Sequence, residues 1–166
     1  MHKDIVRIMR IVPEVRNRLL QDESIRKLLV YDSSDAQTQE EVPTIESTKD
    51  YISLAPVIEQ GIITTDRNSA IALDLTAVDT DFEDGDNAIL GTMIVSVLCS
   101  DNVLLLDKDK LRHWEITRLI INDLDDMKCS ASGKLVVIGA DRFINKHYYG
   151  CAIKILVSDD ATEQEF

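Results

Sequence analysis

Asp109-Lys-Leu-Arg-His-Trp-Glu-Ile-Thr-Arg-Leu-Ile-Ile-Asn-Asp-Leu-Asp-Asp-Met127 is the best-patterned stretch of the chain, and its reading decides the fold. Leu111, Trp114, Ile121 and Leu124 recur at helical spacing, and Ile116 and Ile120 widen the stripe. Arg112, Glu115, Arg118, Asn122 and Asp125 fall mainly on the other side. The spacing therefore predicts a helix over 109–127, capped by Asp107 or Asp109, with the chain's one tryptophan packed on a sheet. A buried Trp114 would make Trp114→Ala cost about 3–5 kcal/mol. A cost below about 1 kcal/mol would place that ring at the surface.

Strand patterns flank the helix. Upstream, Ile52–Ile58 alternates weakly, with Pro56 suited to an edge, and Ile71–Ala77 alternates cleanly. Ala88–Ser100 sets Met93, Val95, Val97 and Cys99 on one face, and Ile94 and Leu98 on the other. Downstream, Cys129–Gly133 reads as a turn, Lys134–Gly139 as a short β-branched strand, and 141–147 as a connection. Tyr148–Ser158 is the last strand. At the other end, residues 2–30 read as two or three helical pieces. Ile5, Ile8, Met9 and Val12 mark the first face, Pro13 kinks it or starts the next helix, and Asp22 caps the last. The expected class is α+β: a mostly antiparallel sheet with the N-terminal helices and one central helix packed on it.

At 166 residues one domain is the default, over 1–158, with a polar acidic loop at 32–51 and an acidic flexible tail at 159–166. A loop of that length without a period is either mobile or an ordered part of an assembly. The formal charge of −12 argues against nucleic-acid binding, which relies on clustered Lys and Arg. No apolar run approaches the ~20 residues of a membrane helix, and the N-terminus does not have a secretory signal's pattern. Cys99, Cys129 and Cys151 are odd in number and read as reduced, buried thiols of a protein made in a cytosol.

Chemistry-bearing motifs are scarce. The acidic stretch 79–86 would need Gly and Glu where an EF-hand count places Asp84 and Leu90, so it reads as a solvated turn. His2, His113 and His147 lie at no metal-ligand spacing. A Cys/His pair would need His113 or His147 to meet one of the thiols, which the sequence does not show. Nucleophile-elbow and phosphate-loop motifs are absent. Asp66-Arg-Asn68 and Asp141-Arg-Phe143 read as turn and surface residues. No catalytic, cofactor-binding or metal-binding residue is assigned, and the chain is expected not to be an enzyme.

Three segments carry a resemblance: Arg18-Leu-Leu-Gln-Asp-Glu-Ser-Ile-Arg-Lys-Leu-Leu-Val-Tyr31 before a polar loop, the long strand and Arg-bearing helix from Gly91 to Asp126, and Gly133–Ile138 followed by the late strand Tyr149–Asp159. In type and order they resemble the small neck and connector proteins of tailed bacteriophages, above all the tail-terminator or tail-completion proteins. The resemblance implies a structural virion protein, made in the bacterial host cytoplasm and placed at the neck. There it would form a homo-oligomeric ring, commonly hexameric, that caps the tail tube and joins it to the head-completion, stopper or connector complex. The tail sheath is a further candidate partner. DNA would pass through the lumen without specific binding, as a negative lining permits, and no membrane is involved. A head-closure protein or a baseplate adaptor is the alternative within that class, and a small metal-dependent hydrolase the alternative outside it.

Overall fold

A computed structural model describes residues 3–54, 67–78, 89–130, 133–145 and 148–159. Helix α1 (Lys3–Gln21) runs through Pro13 without ending, although proline there leaves the Met9 carbonyl without its usual amide donor. Its buried stripe is Ile11, Val15 and Leu19, whereas Met9, expected on the apolar face, is 60% exposed. The side chains of Ile5 and Ile8 lie outside the described residues. Helix α2 (Glu23–Val30) starts where the sequence predicts: the Asp22 carboxylate accepts from the Ser24 and Ile25 amides at 2.7 and 3.0 Å.

The fold is α+β. Strands β1 (Ile52–Ser53), β2 (Ser69–Val78), β3 (Ile89–Ser100), β6 (Gly133–Asn145) and β7 (Tyr148–Asp159) form one sheet in the order β1-β2-β3-β7-β6. It is antiparallel except where β1 runs parallel to β2. Between β3 and the central helix, β4 (Leu105–Leu106) and β5 (Lys110–Leu111) make a separate small hairpin. The helices cover one face of the main sheet. Ile11, Val15, Leu19, Ile25 and Leu28 meet Ile71, Leu73, Val95, Val97, Ile153 and Ile155 there in a single core. Opposite it Leu98 is also buried, as the two-sided pattern of that strand suggests.

Several boundaries differ from the sequence reading. The last two strands form one long antiparallel pair, with Gly133 opposite Asp159 and Asn145 opposite Tyr148, so most of 141–147 belongs to a strand. A bulge between Val137 and Gly139 breaks the alternation and hides the continuity. The weak strand predicted over 52–58 is described only at its start. The acidic stretch 79–86 and the tail beyond Asp159 lie outside the described residues.

The central helix α4 is shorter than predicted, Arg112–Leu124. Asp107 and Asp109 do not cap it: they occupy the β4–β5 turn, where Lys108 and Asp109 take left-handed φ of 63° and 58°. Leu111 stands at the cap position without a side-chain bond, and the Arg112 amide donates to the Leu104 carbonyl at 2.8 Å. The Arg112 side chain, expected on the polar face, is fully buried. Its guanidinium donates to the carbonyls of Val103 (2.7 Å), Leu28 (2.7 Å), Tyr31 (2.6 Å) and Ser33 (2.7 Å).

The segment read as a loop over 32–51 has defined structure, with a 3-10 turn at Ala36–Thr38, a short helix α3 (Ile45–Thr48) and a second 3-10 turn at Lys49–Tyr51. Arg26, itself buried, donates to the Pro43 carbonyl at 2.8 Å, and Arg16 donates to that of Lys49. Removing Arg112 strands several carbonyls at once. Arg112→Met is expected to cost on the order of 4 kcal/mol in urea unfolding, with Arg112→Lys recovering less than half, since hydrogen bonds to a charged donor contribute roughly 1.5–3 kcal/mol each and do not add.

Candidate functional site

The three thiols and the one described histidine that a Cys/His mechanism would need are buried. Cys99, Cys129 and Cys151 are all buried free thiols. Burial pushes the Cys99 and Cys129 thiols up to about 12 and raises Cys151 as well, so none is a ready thiolate. His147 lies outside the described residues. Among the described residues no group of three or more His, Cys, Asp or Glu could hold a metal ion, and no helix is long and apolar enough to cross a membrane. A small cleft of about 80 Å³ beside the β4–β5 turn is lined by Ser34, Gln37, Lys108 and Lys110 among others, and presents no convergent acid–base pair.

His113 is the unusual buried group. It is 1% exposed, and neither ring nitrogen has a hydrogen-bond partner among the described residues. The rings of Trp114 and Tyr149 stand 5.7 and 6.2 Å from its own. Burial, helped by the nearby Arg142 charge, lowers its pKa and keeps it neutral.

Exposed apolar side chains lie on α4 and on β6. Trp114, expected in the core, is 40% exposed. The reason is angular: Trp114 and Ile116 stand about 160° apart around a helix, so only one of them can face the sheet. Ile116, Ile120 and Leu124 do so, with His113 and Thr117 beside them. Ile144 pairs across the sheet with Tyr149 and is 56% exposed, and Ile138 at the bulge is 48% exposed.

These residues border an edge of the sheet whose two halves are treated differently. Along 133–137 the edge of β6 is covered. Leu135 exchanges backbone bonds with Met127 and Asp126, Cys129 donates to Gly133, and the Asp125 carboxylate accepts from the Val137 amide at 3.1 Å. Beyond the bulge, the alternation turns the backbone groups of Ala140, Arg142 and Ile144 outward, and among the described residues nothing pairs with them. The Arg142 side chain is exposed there, with no hydrogen-bond or ion-pair partner among the described residues. The opposite margin has a gap too: β1 pairs only with Ile71 and Ala72, leaving the outer side of β2 beyond them unpaired among the described residues.

Reading the sequence missed Arg112 and Trp114 because both were assigned to the wrong side of α4. The strict i, i+4, i+8 series Ile116–Ile120–Leu124 was the signal that fixes that side. Arg142 was read as a turn residue for want of the bulge.

The family model YomW matches residues 22–157, from the cap of α2 almost to the end of β7. No curated protein matches the chain.

Two outcomes follow from this geometry. Trp114→Ala is expected to cost about 1 kcal/mol or less in urea unfolding, against about 2–5 kcal/mol for Ile116→Ala. The second concerns pH. Because the folded His113 pKa is lowered from 6.5, the unfolded chain binds its proton first. Its contribution to stability is therefore complete above pH 6.5 and is lost as the pH falls towards the lowered value. Thermal melts of His113→Phe should show a smaller loss of Tm between neutral pH and about pH 5 than the parent chain does.

Proposed function

Given that the chain belongs to the YomW family, which is phage-derived, we propose that it is a non-enzymatic structural protein of the virion neck. In this reading it is a tail terminator whose copies close into a homo-oligomeric ring, a hexamer by its likeness to tail-terminator proteins. The ring caps the tail tube and joins it to the head-completion or connector complex, and DNA passes through its lumen.

The observation that carries the reading is a sheet in which, among the described residues, nothing pairs with a stretch at each margin, β6 beyond the bulge and β2 beyond β1. Exposed strand edges promote pairing with another chain, and proteins that remain solitary blunt them. Two different open margins on one subunit suit a heterologous contact, in which one side of each copy meets the other side of the next and the chain of contacts closes on itself. The charge of −12 is compatible with a lumen that a polyanion traverses without being retained.

Mass photometry of the purified chain across the micromolar range, with electron microscopy of intact particles, tests the proposal. A ring is expected in solution or at the neck. A strict monomer in solution together with no ring of this chain in particles would overturn it, and a ring located at the baseplate would reassign it as an adaptor.

A further inference from the structure

Two exposed surfaces at opposite margins of the main sheet complement each other in charge and polarity. The first surrounds Trp114. Its ring stands 5.7 Å from that of His113, the His113 ring stands 6.2 Å from that of Tyr149, and Tyr149 pairs across the strands with Ile144. Trp114 and Ile144 are both exposed. Arg142, exposed as well, lies two residues from Ile144 and pairs with Cys151, so it points to the same, helix-bearing side of the sheet. This face is apolar with a cation at its border, and exposed apolar groups rimmed by charge mark contact sites.

The second surface is the corner formed by residues 40–50. Glu40, Glu41, Glu46 and Asp50 are exposed there. Lys49 engages Glu46 and Arg67 engages Asp50, so Glu40 and Glu41 carry the excess negative charge of the corner. Ile45, between them and Glu46 in the chain, is an exposed apolar side chain. The bonds from Arg26 to the Pro43 carbonyl and from Arg16 to that of Lys49 fix the backbone against α2 and α1, which makes the corner a formed surface on the helix-bearing side. Resting on the ring reading above, we infer that this corner of one copy docks on the Trp114–Ile144–Arg142 face of the next. Glu40 and Glu41 meet Arg142, and Ile45 packs against Trp114 and Ile144.

Register and strand order make a second copy the occupant. The corner leads directly into β1, and Ile52 of that strand lies level with Arg142 through Ile71, Val97 and Cys151. Strands β1 and β6 end the strand order on opposite sides, and four spacings of about 4.8 Å put roughly 19 Å between them. Within one subunit the corner and the Trp114 face are therefore held apart. A copy placed beside the first brings its corner to the face at the level of Arg142. The contact joins unlike surfaces, as a closing ring requires, whereas either surface set against its own copy would oppose like charges.

Trp114 makes the test direct, because it is the chain's sole tryptophan and belongs to the docking face. Its emission is followed across a concentration series of the full chain, with light scattering in parallel. The parent is compared with Arg142→Glu, with a chain carrying Glu40→Lys and Glu41→Lys, and with a chain carrying all three changes. The expected result is a blue shift that tracks assembly of the parent. Each reversal alone should weaken assembly at least tenfold, and the chain with all three should assemble again. Circular dichroism of every variant is expected to match the parent, because the three side chains are exposed.

Assembly with unchanged Trp114 emission, and no effect of the reversals, would overturn this contact while leaving the ring, with the Trp114 face open to a different protein. Loss of assembly in each reversal without recovery in the combined chain would overturn the pairing of these two surfaces. A monomer at every concentration, together with no ring in particles, would overturn the contact and the ring alike. Assembly that follows the charge pattern but lies away from the neck would sustain the contact and overturn the neck reading.

Discussion

The structure depends on one buried cation whose hydrogen bonds, among the described residues, all go to backbone carbonyls. Arg112 sits at the start of α4, fully inaccessible, and spreads its donors over four carbonyls from α2, the segment after it and the link out of β3. A charge in that position is tolerable only because each carbonyl supplies partial negative charge, and because two acceptors belong to the C-terminal end of α2, where the helix dipole favours a cation. Burial lowers the Arg112 pKa, yet a guanidinium stays charged under all ordinary conditions. A lysine would offer one point charge where the site needs a planar fork. The same contacts stand in for the missing side-chain cap of α4, since its first residue is held from both its amide and its guanidinium.

That clamp also explains how an acidic segment without a hydrophobic period comes to be folded. Residues 31–51 bury few apolar side chains, Ala36 being one, so side-chain burial cannot order them. Backbone capture does: Arg112 takes Tyr31 and Ser33, Arg26 takes Pro43, Arg16 takes Lys49 and Arg67 takes Asp50. Glu115 adds a side-chain tie, accepting from Gln37 at 3.0 Å. The Arg118 hydrogen bond is the main reason its carboxyl is held at about 2. Arginines contributed by α1, α2, α4 and the approach to β2 thus fix a segment whose own composition is that of a loop.

Different parts of the fold were legible for different physical reasons. The strands of the sheet could be read because burial on one face imposes a period of two, and Asp22 could be read as a cap because the bond is local in sequence. The true face of α4 was present in the Ile116–Ile120–Leu124 series. Trp114, the largest apolar side chain, pulled the stripe towards itself, and Arg112 was placed by its charge alone. Neither the order of 31–51 nor the fate of Arg112 has a local signature, since three of its four acceptor carbonyls lie 79–84 residues away in the chain. The upper half of β6 was hidden by one bulge, and with it the edge on which Arg142 is displayed.

Charge sets the terms on which an assembly of this chain could exist. Subunits carrying −12 repel one another, and closing them into a ring brings those charges together. Contact must therefore come from interactions that repulsion weakens little: backbone pairing along an edge, burial of exposed apolar groups such as Ile144 and Trp114, and a local inversion of sign. Arg142 supplies that inversion at the margin where the edge is open. The fold reinforces the division of labour, because Asp125 and the 126–129 segment close the lower half of the same edge and leave one short stretch able to pair. A subunit built this way resists indiscriminate stacking through its net charge and limits pairing to a few residues. That combination suits a component that must remain separate until a neighbour of matching geometry arrives.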